Sequence, residues 1–152
     1  MKEFEKREAE GRFQMLSLVM MDILRGDRAI TFTPITEHHD FDMTSFTPTI
    51  RTSKGEIKCI HRNYDDYPNF QIDYAKVRDL KVNAGKEGKT PYLICFFNDC
   101  SICWDLTNID LDGRVYKQMC TRSTATDYSR GAVEKEEVWL TKEEAIWSRE
   151  NI

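Results

Sequence analysis

FDMTSFT (residues 41–47) and GEIKCIH (residues 55–61) are the two stretches that decide how this chain is read. Both alternate apolar with polar residues, the period of a half-buried strand. In the first, Phe41, Met43 and Ser45 face one way, while Asp42, Thr44 and Phe46 face the other. In the second, Glu56 and Lys58 project together and Ile57 and Cys59 project oppositely, because positions two apart on a strand share a face. If the strands pair, Asp42 brings a second carboxylate to Glu56. Two carboxylates suit a hard divalent cation such as Mg²⁺, and a lysine beside it can orient or deprotonate an attacking water and stabilise charge on a phosphate. Two registers are open. A turn at residues 47–51 sets Asp42 opposite Glu56, whereas a turn at Ser53–Gly55 sets it opposite about residue 65.

Upstream, residues 3–25 carry Phe13, Leu16, Met20, Ile23 and Leu24 at helical spacing, with Gly26-Asp27 as a stop. Glu10 falls on the same face of this predicted helix. Ala29–Ile35 (AITFTPI) reads as a strand ending near Pro34. Downstream, Asn63–Asn69 is a loop by composition, and Phe70–Val82 is a predicted helix through Phe70, Tyr74, Val77 and Leu80. Pro91–Phe97 is a continuously apolar, buried strand that Ser101–Leu106 joins through the Asn98–Asp99 turn. Beyond Asn108 the chain is polar and loop-like as far as a last strand at Glu137–Leu140. Thr141 then opens a predicted short helix, TKEEAIW, with Glu144 at the capping-box position. This order predicts one α/β domain over residues 1–152: a central mixed sheet flanked by helices, with a core at about 3–106 and an extension at 107–152.

An aspartate strand, an E-x-K strand fourteen residues on, and the order helix–three strands–helix–strand resemble the PD-(D/E)XK nuclease superfamily, most closely its small phage and resolvase-type members. The likeness runs from about Glu10 to Leu106, through FDMTSF, GEIKCIHR, IDYAKVRDL and PYLICFF. Phe41 stands where many members have proline. The resemblance implies a restriction-endonuclease-like fold with an α-β-β-β-α-β core and a Mg²⁺- or Mn²⁺-dependent deoxyribonuclease. On the matched positions, Asp42 and Glu56 would hold the metal and Lys58 would assist the water. Glu10 would supply the first-helix glutamate, and Lys76 or Gln71 the polar residue of the second helix. The partner implied is DNA, in a phage or mobile-element setting, and small members often act as homodimers.

Composition bounds these expectations. The 152 residues are 40% hydrophobic and 32% charged with a net charge of −4, which suits a globular domain and excludes binding nucleic acid by bulk positive charge. A DNA-binding surface must then be a local basic patch. The longest apolar run, Tyr92–Phe97, falls far short of the roughly 20 residues a bilayer span needs. The charged start MKEFEKREAEGRF lacks the apolar centre of an export signal, so a cytoplasmic location with reduced thiols is expected for the five cysteines. Cys95, Cys100 and Cys103 read as buried thiols, since no matching pair completes a zinc site.

Other candidates surround the strand pair. Arg62 follows it and offers a guanidinium to a phosphate, and Gln71 is a second candidate nucleic-acid contact. Tyr64, Tyr67 and Phe70 read either as base-stacking rings or as the edge of the core. The cluster HHDFD, with His38, His39, Asp40 and Asp42, offers a transition-metal hydrolase, although adjacent histidines on a strand point apart. Trp139, Ile146 and Trp147 are apolar candidates for a dimer contact. A reading from a different class keeps the fold but makes it a non-catalytic module binding protein or nucleic acid. Metal binding that depends on Asp42 and Glu56 separates the two.

Overall fold

The computed structural model describes residues 30–34, 40–45, 53–120 and 133–150. The predicted helix over residues 3–25, Glu10, His38 and His39 lie outside the described residues. The described chain is mixed α/β, with a mixed six-stranded sheet, a three-stranded sheet and one α-helix among these residues.

Strands β1 (Ile30–Pro34), β2 (Asp40–Ser45) and β3 (Ser53–Cys59) form an antiparallel meander. A short strand β4 (Phe70–Asp73) leads into helix α1 (Tyr74–Lys86), which returns the chain to β5 (Thr90–Phe96). Because a helix intervenes, β5 lies parallel to β3, its neighbour in the sheet. Strand β6 (Cys100–Asp105) then pairs antiparallel with β5 and β9 (Trp147–Glu150) with β6, giving the order β1-β2-β3-β5-β6-β9. Strands β7 (Tyr116–Cys120) and β8 (Val133–Leu140) complete the smaller sheet, ordered β4-β8-β7.

Alternation along the parallel pair sets the layers. Lys54, Glu56 and Lys58 share one side of the pleat with Pro91, Leu93 and Cys95. On that side Val77, Leu80 and Ala84 of α1 are buried, and Leu93, Cys95, Ile102 and Trp104 join Val77 and Leu80 in one core with Phe70 and Ile72 of β4 and Val138 and Leu140 of β8. Trp104 is fully buried, stacks on Phe70 at 5.9 Å between centroids, and donates its indole N–H to the Thr141 carbonyl at 2.8 Å. The opposite side carries Ile57, Ile94, Phe96 and Cys103, also buried.

Three sequence expectations need correction. The predicted helix at Phe70–Val82 begins only at Tyr74: Phe70 and Ile72 are buried, Gln71 and Asp73 are half-buried, and the segment pairs with β8. That is a period of two, and Asp73 starts the helix by accepting the Ala75 N–H at 3.0 Å. The predicted helix TKEEAIW is a single 3-10 turn at Lys142–Glu144. Its capping box forms, but the Ile146 N–H bonds the Cys103 carbonyl at 3.0 Å and draws the chain into β9. Beyond Asn108, the strand expected at Glu137–Leu140 is present as part of β8, but the described residues there also contribute β7 to the second sheet and β9 to the main one, where loop and helix were expected.

Candidate functional site

Strand β3 lies between β2 and β5, and its even positions point under helix α1. Glu56 is therefore buried, with its side chain 7% exposed, and its Oε1 lies 3.1 Å from Lys58 Nζ. The reach is short because both residues stand on the same side of one strand, two positions apart. Lys76, at the third position of α1, brings a second ammonium beside Lys58. Burial works against the Lys58 charge, yet the attraction and hydrogen bond of Glu56 outweigh it and hold Lys58 above its ordinary range. Lys76 lies below its own, through partial desolvation and the neighbouring Lys58 charge. Glu56 thus pairs with Lys58 while its charge also acts on Lys76, and the two neighbouring lysines differ in basicity.

Neither expected register holds: the observed pairing lies two residues from the one that set Asp42 opposite Glu56. Asp40 stands opposite Glu56 and Asp42 opposite Lys54, so the β2–β3 connection falls within residues 46–52. Lys54 and Gly55, which read locally as a turn, are interior to β3 instead. Opposed residues in an antiparallel pair share a face, so position 42 falls on the side of the sheet that carries Glu56 and Lys58, one diagonal step from Glu56. The separation of the Asp42 and Glu56 carboxylates lies outside the described residues, since β2 is described by its backbone alone. Lys54 itself extends to Glu87 beyond the end of α1, at 3.0 Å, with Lys89 3.4 Å from the same carboxylate.

Carboxylate oxygens are the donors that Mg²⁺ takes, and the buried Glu56 fits that requirement, with a second acidic position on its face supplied by β2. Among the described residues, no three His, Cys, Asp or Glu side chains gather into a metal site.

The remaining candidates are dispersed. Arg62 is occupied with its own loop: Nη1 donates to the carbonyls of Asn63 at 2.7 Å and Tyr64 at 3.2 Å, and the guanidinium lies over Tyr67 and Phe97. Gln71 lies on β4 opposite Trp139 and donates to the Asn69 side chain, away from the second helix that the resemblance assigned to it. Tyr64 and Phe70 belong to the core, each edge-on to Phe97 at 5.4 Å, while Tyr67 is 57% exposed. Cys95, Cys100 and Cys103 are buried free thiols. Ile146 is exposed, and Trp139 is exposed beneath the Arg114 guanidinium at 4.5 Å.

Two carboxylates that the sequence reading did not single out, Asp73 and Glu137, stand opposite each other at the end of β4. Asp73, the cap of α1, acts electrostatically on Lys76 and also on Glu137, which stands opposite it across β4 and β8. Burial and the Asp73 charge raise Glu137 above the ordinary carboxylate range. Asp73 is a residue type that caps helices, but it fell inside the helix predicted over Phe70–Val82, so its place at the helix start was hidden until the boundary was seen; Glu137 had no such signal. No helix among the described residues is long and apolar enough to cross a membrane. Compared with protein-family models, curated proteins and solved structures, the chain matches none of them.

Proposed function

We propose that the protein is a metal-dependent nuclease of restriction-endonuclease-like fold that hydrolyses DNA phosphodiester bonds. The observation that carries this reading is the buried Glu56 held at 3.1 Å by Lys58, with Lys76 arriving from the crossover helix. The strand order supports it, since an antiparallel meander β1-β2-β3 is followed by a helix and a strand parallel to β3. In this reading Asp42 and Glu56 hold Mg²⁺ or Mn²⁺, which when bound supplies a Lewis acid for the phosphate. Lys58 orients the attacking water from a position fixed by Glu56. Lys76, the less basic ammonium, faces the negative charge that develops on the phosphate oxygens. Glu10 supports the metal from the first helix, and Arg62 and Gln71 contact the DNA at the periphery. The same reading places a homodimer in the cytoplasm, in a phage or mobile-element setting.

The test is cleavage of plasmid, branched and single-stranded DNA with Mg²⁺ or Mn²⁺, comparing the wild type with Lys58→Ala. Equal products from both proteins end the assignment. A second reading, a binding module without catalysis, draws support from Glu56 being already neutralised by Lys58. Calorimetry decides between them: Mn²⁺ binding lost in Asp42→Asn and Glu56→Gln supports the enzyme, and no Mn²⁺ binding by the wild type supports the module.

A further inference from the structure

Strand β3 presents Lys54, Glu56 and Lys58 in turn on the side of the sheet that faces α1. Strand β2 sets two acidic positions against that row, Asp42 opposite Lys54 and Asp40 opposite Glu56. Opposed residues of an antiparallel pair share a face, so positions 40, 42 and 56 lie on one side of two adjacent strands. The resemblance selects Asp42 by its spacing from Glu56, but the pairing brings Asp40 nearer. Directly opposed positions hold their Cβ atoms about 4.5–5.5 Å apart, and diagonal ones about 7–8 Å. Asp40 is the direct neighbour of Glu56, and Asp42 is the diagonal one. Lys58 stands two positions beyond the partner of Asp40 and four beyond the partner of Asp42.

Strand stability explains one of these acidic positions and not the other. Opposite charges facing each other across a strand pair are favourable, and Asp42 opposite Lys54 follows that rule. Like charges directly opposite are destabilising, and Asp40 opposite Glu56 breaks it. The repulsion weighs more where water is excluded, and Glu56 is buried. The neighbouring lysines are committed: Lys58 lies 3.1 Å from Glu56, and Lys54 reaches Glu87 at 3.0 Å. Formal charge points the same way. Asp40, Asp42 and Glu56 bring three negative charges against the two positive charges of Lys58 and Lys76. A divalent cation turns that deficit into an excess of one positive charge, which the single negative charge of a phosphodiester balances.

We infer that Asp40 is a third carboxylate ligand of the cation, beside Glu56 and Asp42. This inference rests on the nuclease reading for the presence of a metal, and it enlarges the ligand set that the resemblance implied. Mg²⁺ and Mn²⁺ take hard oxygen donors in an octahedral shell, so three carboxylates leave the remaining positions to water and a phosphate oxygen. The ion also removes the opposition of like charges that the bare strand pair carries. Asp40 thereby draws the ligand set toward the end of β3 that holds Lys58, away from Lys54 and Glu87.

The experiment is calorimetric titration of Mn²⁺ into the full chain, comparing the wild type with Asp40→Asn, Asp42→Asn and Asp79→Asn. Asp79 is an exposed carboxylate on α1, so its variant reports the loss of one negative charge alone. The expected result is that Asp40→Asn weakens Mn²⁺ binding at least tenfold, and no less than Asp42→Asn does, with Asp79→Asn within threefold of the wild type. Thermal unfolding supplies a second readout. In EDTA, Asp40→Asn should unfold at or above the wild-type Tm because it relieves the repulsion with Glu56, and Mn²⁺ should raise the wild-type Tm more than the variant's. A lower Tm for Asp40→Asn in EDTA makes Asp40 a structural partner and overturns the inference. Asp40→Asn binding within threefold of the wild type while Asp42→Asn loses Mn²⁺ overturns the third ligand and leaves the nuclease reading standing. A wild type that binds no Mn²⁺ overturns both.

Discussion

Glu56→Gln removes the carboxylate paired with Lys58, and the structure sets the size of the effect. The Glu56 side chain is 7% exposed and that of Lys58 is 26% exposed, so the pair is mostly withdrawn from water. Breaking a fully buried pair costs about 3–5 kcal/mol, because the surviving charge stays desolvated. The partial exposure of Lys58 lets water recover part of that, but the adjacent Lys76 ammonium adds repulsion. The expected loss is about 2–3 kcal/mol, which for a domain of this size lowers Tm by roughly 5–10 °C. Lys58→Met, leaving Glu56 buried and unpaired, should cost about as much. The double variant should recover most of it, since a neutral, well-packed pair replaces two charges. Urea unfolding of all four proteins in EDTA gives the coupling energy directly, expected at about 1.5–3 kcal/mol. A Glu56→Gln cost below about 0.5 kcal/mol, or a coupling near zero, would mean that the pair behaves as a surface ion pair and that its burial has been misread.

The Arg114 guanidinium bonds both carboxylate oxygens of Glu144, and the Thr141 N–H and hydroxyl donate to Oε2 at 3.0 Å; chiefly through Arg114, the Glu144 pKa is held down to about 2. A depressed carboxylate contributes stability that is present above its unfolded value, near 4.5, and lost as pH falls toward 2, so acid should remove about 1–2 kcal/mol after solvent screening. Urea titrations from pH 6 to 2.5 should show Glu144→Gln with a flatter profile, and parallel profiles would count against the clamp. Asp73→Ala should cost about 1 kcal/mol by leaving the Ala75 N–H without its cap, with far-UV circular dichroism during urea unfolding as the readout. An unchanged midpoint would show that the cap is dispensable. Burial raises the Cys95 and Cys103 thiols well above their ordinary value, so peptide mapping after thiol labelling should find both unmodified until the protein unfolds; labelling under native conditions would contradict their burial.

What the sequence made legible follows from how local each signal was. Alternation in AITFTPI, FDMTSFT and GEIKCIH placed β1, β2 and β3, and the apolar run at Pro91–Phe97 marked β5, because side-chain period is written in a few adjacent residues. The shared face of Glu56 and Lys58 was legible for the same reason, whereas a polar residue on the following helix, Lys76 or Gln71, was only what the resemblance implied. Register was not, since Lys54-Gly55 has the local chemistry of a turn and only pairing across two neighbours keeps it in a strand. The β4–α1 boundary was hidden because Phe70 fits both periods, and pairing with β8 some seventy positions away decides for the strand. Nor could TKEEAIW reveal its end as a strand, as β9 exists only through bonds to β6.

That last dependence bears on how the chain acquires its structure as it is made. Strands β8 and β9 are the latest of the described elements to be synthesised, yet β8 is the centre of its sheet and β9 lines the flank of the larger one. Trp104, at the heart of the protein, completes its hydrogen bond only when Thr141 arrives. Pairings of such long sequence separation close slowly, because the loop entropy is spent before the contacts return it. A ribosome-bound chain that stops short of residue 133 therefore carries the open edges of β4 and β6 and an uncovered tryptophan, features that invite aggregation or chaperone binding. Nascent chains stalled before residue 133 should be protease-sensitive throughout, and those released beyond residue 150 should become resistant in a single step.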